Sequence, residues 1–505
     1  MFFRKLSKSI INSMPIVAFL VIYLISDMFG ALVLFHKLEP FYSVFVYHSG
    51  ISLPVVLSDD QMLTYWLVAL GAPLIMSVAF FAVFLRFKKR SADFDPDQRD
   101  YDPPFPAVVT FFVILSALGT YSIHRGGGFE ALGTWGNYAD LVETRWRLYA
   151  TLSFFEFVNL YQFIPVAAIV ALLVGIKYRG WARIIGIVCV IAGVCVGIAI
   201  FQKKVVVTTM ILTISAVVIY SFFVDPKRIG RIIGFTVVSL LALLAVFFVA
   251  AVVPTLSGQK SAIGNSANTT QELDFVEKWR ELAAQATLNP DRWSDLTEEE
   301  RAALSRLTPK EREALRQKVM AAASKAAAQN RYINDPVFVA LNNLTMRSSV
   351  PAVYYMAVFP DLHPYFPLDL GQDILGFGAM PNDNLIIWNQ MYPDMPGVVA
   401  APFNFVLYSQ GGLFVTFAMS AVVGMIIGFF WAVVLRSRGT MALRAALGSV
   451  IVVGTMHLAL DALRNTIIVS YGFAWALFPL MVLLIAGMLS GWRRQTGTGA
   501  IAHAE

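Results

Sequence analysis

The sequence predicts an all-α polytopic membrane protein with about ten transmembrane helices and a large, partly helical loop late in the chain. The chain of 505 residues is 57% hydrophobic and 14% charged, with a mean hydropathy of +0.65. A soluble domain carries about 25% charged residues, so most of this chain is expected to lie in lipid. Apolar runs long enough to cross a bilayer, about 20 residues each, recur along the sequence.

These runs divide the chain into three regions. Residues 1–254 are predicted to form a first membrane bundle of about seven spans, residues 255–408 an insert, and residues 409–505 a second bundle of about three spans with a short tail. The first span shows no small-residue cleavage site, which favours a retained anchor. The predicted spans are 12–36, 62–85, 106–123, 152–176, 184–201, 205–224, 232–253, 409–435, 443–463 and 466–490.

The distribution of basic residues predicts the orientation. Lys and Arg accumulate in cytoplasmic connections, and here they cluster before the first span, at 86–90, 177–183, 227–231 and 436–444, and after the last span. Both termini are therefore expected in the cytoplasm and the insert on the outer side. The net charge of +6 follows from this topology and gives no argument for a nucleic-acid partner.

The insert changes character along its length. Residues 257–270 are rich in Gly, Ser and Asn, and capping boxes at 297–300 and 308–311 predict charged helices that continue to about residue 329. Residues 336–405 are rich in Pro, Gly and aromatic side chains and predict a folded lid at the outer surface. Within it, residues 349–360 are too short to span the bilayer but suit a re-entrant helix.

Six cations lie at the ends of spans that are predicted to face outward. Cations at the bilayer surface opposite the basic side are seldom accidental, so they suggest a site for an anionic lipid headgroup such as a diphosphate. They are Arg145, Arg147, Lys203, Lys204, Arg347 and Arg464.

Three ionisable residues recur at helical spacing in the ninth span. His457, Asp461 and Arg464 are four and three residues apart, which predicts that they share one helix face. Such a group inside a membrane suggests a polar cavity that carries chemistry. The alternative is an internal network that only packs helices.

The remaining cations have structural alternatives of their own. Arg145 and Arg147 flank Trp146 just outside the fourth span, with Glu156 further in, and an interfacial anchor explains the cations but not the carboxylate. Lys203 and Lys204 occupy a short hairpin tip between the fifth and sixth spans, which suits a phosphate but is also compatible with a polar turn.

Arg347 leads into the predicted lid, where a guanidinium group is well suited to bind phosphate oxygens through bidentate hydrogen bonds.

Several chemistries lack their sequence signatures. The chain has no P-loop, no Gly-x-Ser-x-Gly and no His-Glu-x-x-His, so we expect an activated donor that is already membrane-bound. The two cysteines, Cys189 and Cys195, share one span, which predicts neither a disulfide framework nor a zinc site. We expect no metal and no cofactor. Gly193/Gly197 and Gly424/Gly428 are spaced for close helix packing.

The chain resembles the Wzy-type O-antigen and exopolysaccharide repeat-unit polymerases of bacterial inner membranes. The similarity comprises the many spans, the large outer loop late in the chain and the basic tip Gln202-Lys203-Lys204. It extends from Arg347 through Asn382-Asp-Asn384 and Tyr392-Pro-Asp-Met-Pro-Gly397 to Tyr408-Ser-Gln-Gly-Gly412. The charged segment 271–331 has no counterpart in this resemblance.

The resemblance implies a metal-independent, inverting glycosyltransferase of the GT-C type in the bacterial inner membrane. Its donor would be a growing glycan on undecaprenyl diphosphate, and the hydroxyl of a new lipid-linked repeat unit would attack the anomeric carbon. The cations would neutralise the leaving diphosphate. Asp461 or His457 would be the base, with Glu156 as the alternative. A chain-length regulator protein is a further candidate partner.

Two other functions remain open from the sequence. One is a related ligase that transfers glycan to lipid A core or to protein. The other is a carrier that moves lipid-linked sugars across the membrane without chemistry, for which inverted repeats would be typical.

Overall fold

The computed structural model describes residues 2–42, 44–45, 57–88, 102–129, 147–148, 151–200, 203–224, 332, 335–346, 348–368, 383–391, 399–436, 440–468 and 473–501. Every regular element in these ranges is helical, as the sequence predicts. Seven of the helices are long and apolar enough to cross a membrane. They are Ser9–His36, Asp59–Phe87, Phe105–Arg125, Phe154–Tyr178, Gly180–Ala199, Lys204–Val224 and Gly412–Arg436.

Three of these spans contain a turn of π-helix, and their parts are labelled separately. The first comprises α1 (Phe2–Tyr23), a π-turn at Leu24–Met28 and α2 (Phe29–His36). The second comprises α3 (Asp59–Trp66), a π-turn at Leu67–Gly71 and α4 (Ala72–Lys88). The fourth comprises α6 (Phe154–Val158), a π-turn at Asn159–Phe163 and α7 (Ile164–Tyr178).

The other helices follow in chain order. They are α5 (Phe105–Arg125), α8 (Gly180–Ala199), α9 (Lys203–Val224), α10 (Pro336–Met346), α11 (Ser349–Val358), α12 (Asp383–Met391), α13 (Phe403–Ser409), α14 (Gly412–Arg436), α15 (Met441–His457), α16 (Leu463–Ile467) and α17 (Phe473–Ile501).

Burial separates one central span from its neighbours. The span Phe154–Tyr178 is 94% buried over its apolar window, whereas the spans Phe105–Arg125 and Gly180–Ala199 are each 33% buried. The outward faces of the peripheral spans carry large apolar side chains, such as Leu74 and Trp181. An apolar surface of this extent is expected where lipid, not water, surrounds the helices.

Close helix packing depends on glycine at Gly424 and Gly428. A Cβ at Gly424 would collide with the backbone carbonyl of Met76, and one at Gly428 would lie 2.5 Å from the carbonyl oxygen of Phe80. Helix α14 therefore packs backbone to backbone on α4, as the spacing of the two glycines predicts. A Cβ at Gly193 would make only an ordinary contact, 3.6 Å from the Cβ of Ala168.

Two sets of contacts define the ends of the bundle. At one, the Asp102 end, the carboxylate of Asp102 accepts from Lys177 Nζ at 3.4 Å and from the backbone N–H of Ala442 at 3.1 Å. At the other, the Asp461 end, Lys204 pairs with Asp461 and Gln61 donates to Asp361. Each end gathers connections that the alternation of Lys and Arg assigns to one side of the membrane.

The connection from Val224 to Pro336 joins opposite ends of the bundle. Phe223 lies at the Asp102 end, with its ring 4.3 Å from the guanidinium carbon of Arg444. Helix α10 instead packs against α2 in the other half of the bundle. The span predicted at 232–253 and the charged helices predicted up to residue 329 lie outside the described residues. A crossing between Val224 and Pro336 remains a prediction.

Part of the predicted lid lies between the spans. Helix α11 packs on the first span, where Ser349 fills the space that a side chain at Gly30 would need. That residues 349–360 re-enter the membrane stays a prediction. Helix α13 lies deeper, because Asn404 donates to the hydroxyl of Tyr23 at 2.9 Å and to the carbonyl of Val68 at 3.3 Å. These segments are buried in the bundle and not laid over it.

The helix predicted over 443–463 is shorter than expected. Helix α15 ends at His457, and residues 458–460 form turns in which each N–H bonds a carbonyl three residues earlier. The carbonyl of Leu458 accepts from the backbone N–H of Phe403 on α13, which removes it from the helical ladder. In the last span, predicted at 466–490, α16 ends at Ile467 and α17 is described from Phe473, while residues 469–472 lie outside the described residues.

Candidate functional site

A buried ion pair lies at the Asp461 end of the bundle. Lys204, in the first turn of α9, donates to the carboxylate of Asp461 at 3.3 Å. The aspartate side chain is 6% exposed and the lysine side chain 30% exposed. The pair is therefore closed around the carboxylate and partly exposed on the lysine side.

A second contact joins the same two segments one helical turn away. The hydroxyl of Thr208 lies 3.2 Å from Nε2 of His457, and both side chains are buried. Lys204 and Thr208 are four residues apart on one face of α9, and their partners Asp461 and His457 are also four residues apart. The segments run antiparallel, so the two contacts align the end of α15 with the start of α9.

The predicted common helix face of His457, Asp461 and Arg464 is wrong in its geometry. The helix ends at His457, Asp461 lies in the turn, and Arg464 begins the next helix, α16. The turn is held by Asp461 itself, whose Oδ1 accepts from the N–H of Ala462 at 2.9 Å and from Nδ2 of Asn465 at 2.7 Å. The break nevertheless keeps the three residues close in the chain, and each is less than one-tenth exposed.

We call Lys204, Thr208, His457, Asp461 and Arg464 the Asp461 cluster. It combines two cations, one carboxylate and one imidazole, all buried except Lys204, whose side chain is partly exposed. Cations so fixed are suited to stabilise developing negative charge, and the carboxylate and imidazole are both able to accept a proton. The sequence had placed the lysine in one candidate group and the other ionisable residues in another.

A second polar group was not assigned a role from the sequence. The hydroxyl of Tyr355 on α11 donates to Oδ1 of Asn384 at 2.6 Å and lies 3.3 Å from Oδ2 of Asp383. Oδ2 also accepts from the hydroxyl of Ser409 at 2.9 Å. We call these four residues the Asp383 group. All are buried.

Burial, and then the neighbouring charge of Asp383, raise the pKa of Tyr355 well above its usual value. The signal for the Asp383 group was the Asn382-Asp-Asn384 motif, which lies in the segment of family resemblance, but nothing in the spacing pointed to Tyr355 as its partner.

Glu156 has a well-defined structural environment. Its carboxylate accepts from the N–H of Ser153 at 2.8 Å and completes a capping box at the start of α6. It also accepts from Ser122 at 2.9 Å and forms an ion pair with Arg125 at 2.7 Å. These contacts account for a carboxylate at this position without chemistry.

The other predicted cations are described only in part. Arg147 is exposed, in a two-residue helical segment beside the buried Leu148. Arg145 and Arg347 lie outside the described residues, and of Lys203 the structure gives only the backbone, at the start of α9. Their predicted contact with a diphosphate remains a prediction.

Among the described residues no group of three or more His, Cys, Asp or Glu side chains is arranged to hold a metal ion. The sequence does contain the Asp-x-Asp spacing, at residues 93–97 and 100–102. Of these aspartates the structure describes Asp102, which lies at the end of the bundle opposite the Asp461 cluster.

Comparison of the chain with models of known families, with curated proteins and with solved structures gave no match.

Proposed function

We propose that this protein polymerises undecaprenyl-diphosphate-linked oligosaccharide repeat units at the periplasmic face of the bacterial inner membrane. The observation that carries the proposal is the Asp461 cluster, in which Lys204 pairs with Asp461, Thr208 contacts His457, and the buried Arg464 follows Asp461 by three residues. The cluster lies at the end of the bundle that the distribution of Lys and Arg predicts to be periplasmic.

The proposed reaction is an inverting, metal-independent glycosyl transfer. The acceptor hydroxyl of one repeat unit attacks the anomeric carbon of the lipid-linked chain, the bond from that carbon to the diphosphate oxygen breaks, and the acceptor proton passes to a base. The electron pair of the broken bond stays on the diphosphate. Lys204 and Arg464 are proposed to stabilise that charge, because fixed cations in a buried site cost no reorganisation.

Asp461 and His457 are the proposed bases. Asp461 is held in its orientation by the N–H of Ala462 and by Asn465, and its second oxygen faces Lys204. Thr208 orients His457 through Nε2 of the ring, so that contact decides which ring nitrogen carries the proton. Both belong to the Asp461 cluster with Lys204, whereas Glu156 completes a capping box and pairs with Arg125 elsewhere in the bundle.

Replacing Arg464 tests the proposed site. We expect Arg464→Ala to reduce polymer formation by about 10²–10³-fold, the usual cost of losing a group that stabilises developing charge. Arg464→Lys should restore little polymer formation, because an ammonium cannot make the bidentate hydrogen bonds of a guanidinium. Polymer is measured in cells as the ladder of glycan lengths, alongside the amount of inserted protein.

Lys37→Asn provides the matched control. Lys37 is an exposed cation at the end of the first span, and its left-handed backbone, with φ of 49°, is one that Asn tolerates. The control should leave the ladder unchanged. A full ladder from Arg464→Ala at normal protein level would remove Arg464 from the site.

A further inference from the structure

Asp27 is a fully buried carboxylate in the interior of the first span. It lies in the π-turn Leu24–Met28, nine residues before the end of the span at His36, or about 13 Å along the helix axis. In the described part of the chain it forms no ion pair, and neither carboxylate oxygen accepts a hydrogen bond of good geometry. An ionisable side chain at such depth is costly and is usually functional.

Two tyrosine hydroxyls flank this position, and an asparagine side chain donates to one of them. The hydroxyls of Tyr23 and Tyr65 lie beside the carboxylate of Asp27. Asn404 of α13 donates to Tyr23. Tyr23, Tyr65 and Asn404 are all at most 1% exposed.

The orientation of Asn404 is fixed by its neighbours. Its Nδ2 donates to Tyr23 and to the carbonyl of Val68, in the π-turn of the second span. A carbonyl accepts only, so the amide nitrogen must face Val68 and the amide oxygen must face away from it. That oxygen, Oδ1, has no hydrogen-bond partner in the described structure.

Asp27 and Tyr65 are neighbours, yet neither the carboxylate oxygens nor the Tyr65 hydroxyl makes a hydrogen bond of good geometry among the described residues. Oδ1 of Asn404, whose amide nitrogen donates to Tyr23, is likewise buried without a partner there. Buried polar atoms are otherwise almost always satisfied, by protein, water or a ligand. Burial without a cationic partner disfavours a charged carboxylate, so a positive charge is required here.

We propose that Asp27, Tyr65 and Asn404 form a buried binding site for one monovalent cation, either a proton or Na⁺. One carboxylate balances one positive charge, whereas Ca²⁺ and Mg²⁺ prefer more carboxylates or retained waters. A proton on Asp27 supplies a donor to a neighbouring oxygen; Na⁺ takes the same oxygens as ligands. The site is separate from the Asp461 cluster and does not depend on the proposed polymerase function.

The proposed cation site and the Asp383 group share one short helix. Asn404 and Ser409 belong to the same short helix, α13, and Ser409 donates to Asp383. In the proposed site, a cation shared by Asp27 and Oδ1 of Asn404 adds to the hydrogen bonds that hold α13 against the first two spans.

The test measures the thermal unfolding midpoint of the purified full chain in detergent. Wild type is compared with Asp27→Asn, which keeps the shape but not the charge, and with Tyr65→Phe, which removes one oxygen. Asp60→Asn, at an exposed acid on α3, is the control. Each protein is measured in NaCl against equal KCl, and separately from pH of about 5 to about 8.

Each arm has its own expected result. If Na⁺ binds, the wild-type midpoint rises with the logarithm of NaCl concentration but not with KCl, and this rise is lost in Asp27→Asn and weakened in Tyr65→Phe. If a proton binds, NaCl has no specific effect and the wild-type midpoint falls as pH rises, with a steeper slope than in Asp27→Asn.

Two results would overturn the proposal. One is a wild-type midpoint that shows neither a Na⁺-specific rise nor a pH slope steeper than that of Asp27→Asn. The other is either effect surviving in full in Asp27→Asn. Asp102 titrates over part of the same pH range, but it is present in every variant and so cancels in the comparison. Tyr23 and Tyr65 are the other titratable side chains beside Asp27 in the described structure.

Discussion

Removing the charge of Lys204 and removing the charge of Asp461 should lower the free energy of unfolding by different amounts. A fully buried pair loses about 3–5 kcal/mol when one partner is removed, whereas an exposed pair contributes about 0.2–1 kcal/mol. Here the aspartate side chain is 6% exposed and the lysine 30% exposed. An interaction of about 1–3 kcal/mol, between those two limits, is therefore expected.

The structure predicts which single substitution costs more. Lys204→Met leaves the buried carboxylate with the N–H of Ala462 and the amide of Asn465 as its remaining donors. Asp461→Asn leaves an ammonium that still has access to water. We therefore expect Lys204→Met to lower the free energy of unfolding more than Asp461→Asn does.

The assay is a double-mutant cycle by denaturant unfolding in mixed micelles. The double variant Lys204→Met/Asp461→Asn should be about 1–3 kcal/mol more stable than the sum of the single losses implies. Strictly additive losses, or a larger loss from Asp461→Asn than from Lys204→Met, would contradict the geometry of the cluster.

Three further predictions concern packing, pH and topology. Gly424→Ala should destabilise the protein by about 1–3 kcal/mol, because its Cβ would collide with the carbonyl of Met76, whereas Gly193→Ala should be tolerated; unfolding of the two variants checks this. Burial raises the pKa of Asp102 to about 6. Hydrogen bonds from the backbone and the charge of a nearby arginine lower this pKa, but by less than burial raises it. The contribution of Asp102 to stability is fully present below pH 3.8 and is lost as pH rises through about 6, so Asp102→Asn should unfold with a weaker pH dependence in that window. A cysteine at Ser294 should react with an impermeant reagent in intact spheroplasts, and reaction only after the membrane is opened would reverse the predicted orientation.

The helices were largely predictable from sequence, because apolar composition and length decide where a bilayer is crossed. The end of the ninth span was not. The apolar pattern continues through Leu458, Ala459 and Leu460. The helix ends earlier because the carbonyl of Leu458 accepts a hydrogen bond from the N–H of Phe403. A tertiary contact with a distant segment ends the helix, and no local pattern records it.

The ionisable residues of the Asp461 cluster could be named from the sequence, but their pairing could not. Lys204 was singled out by its position at an outward end and Asp461 by its helical spacing, yet the two are 257 residues apart in the chain. Helical spacing relates residues within one segment only, so it linked Asp461 to His457 and gave no partner for Lys204. The environment of Asp27 was missed for the same reason, since the two tyrosines beside it and the asparagine that donates to one of them come from three separate elements.

The polymerase proposal is tested most directly by supplying purified protein in liposomes with lipid-linked repeat units. The proposed function predicts a ladder of longer lipid-linked glycans, without nucleotide sugar and in the presence of chelator. Asp461→Asn should abolish the ladder while lipid-linked units still bind. A ligase predicts transfer to lipid A core or protein in place of a ladder. Wild-type protein that moves lipid-linked units across the bilayer but never joins them would contradict the polymerase and indicate a carrier.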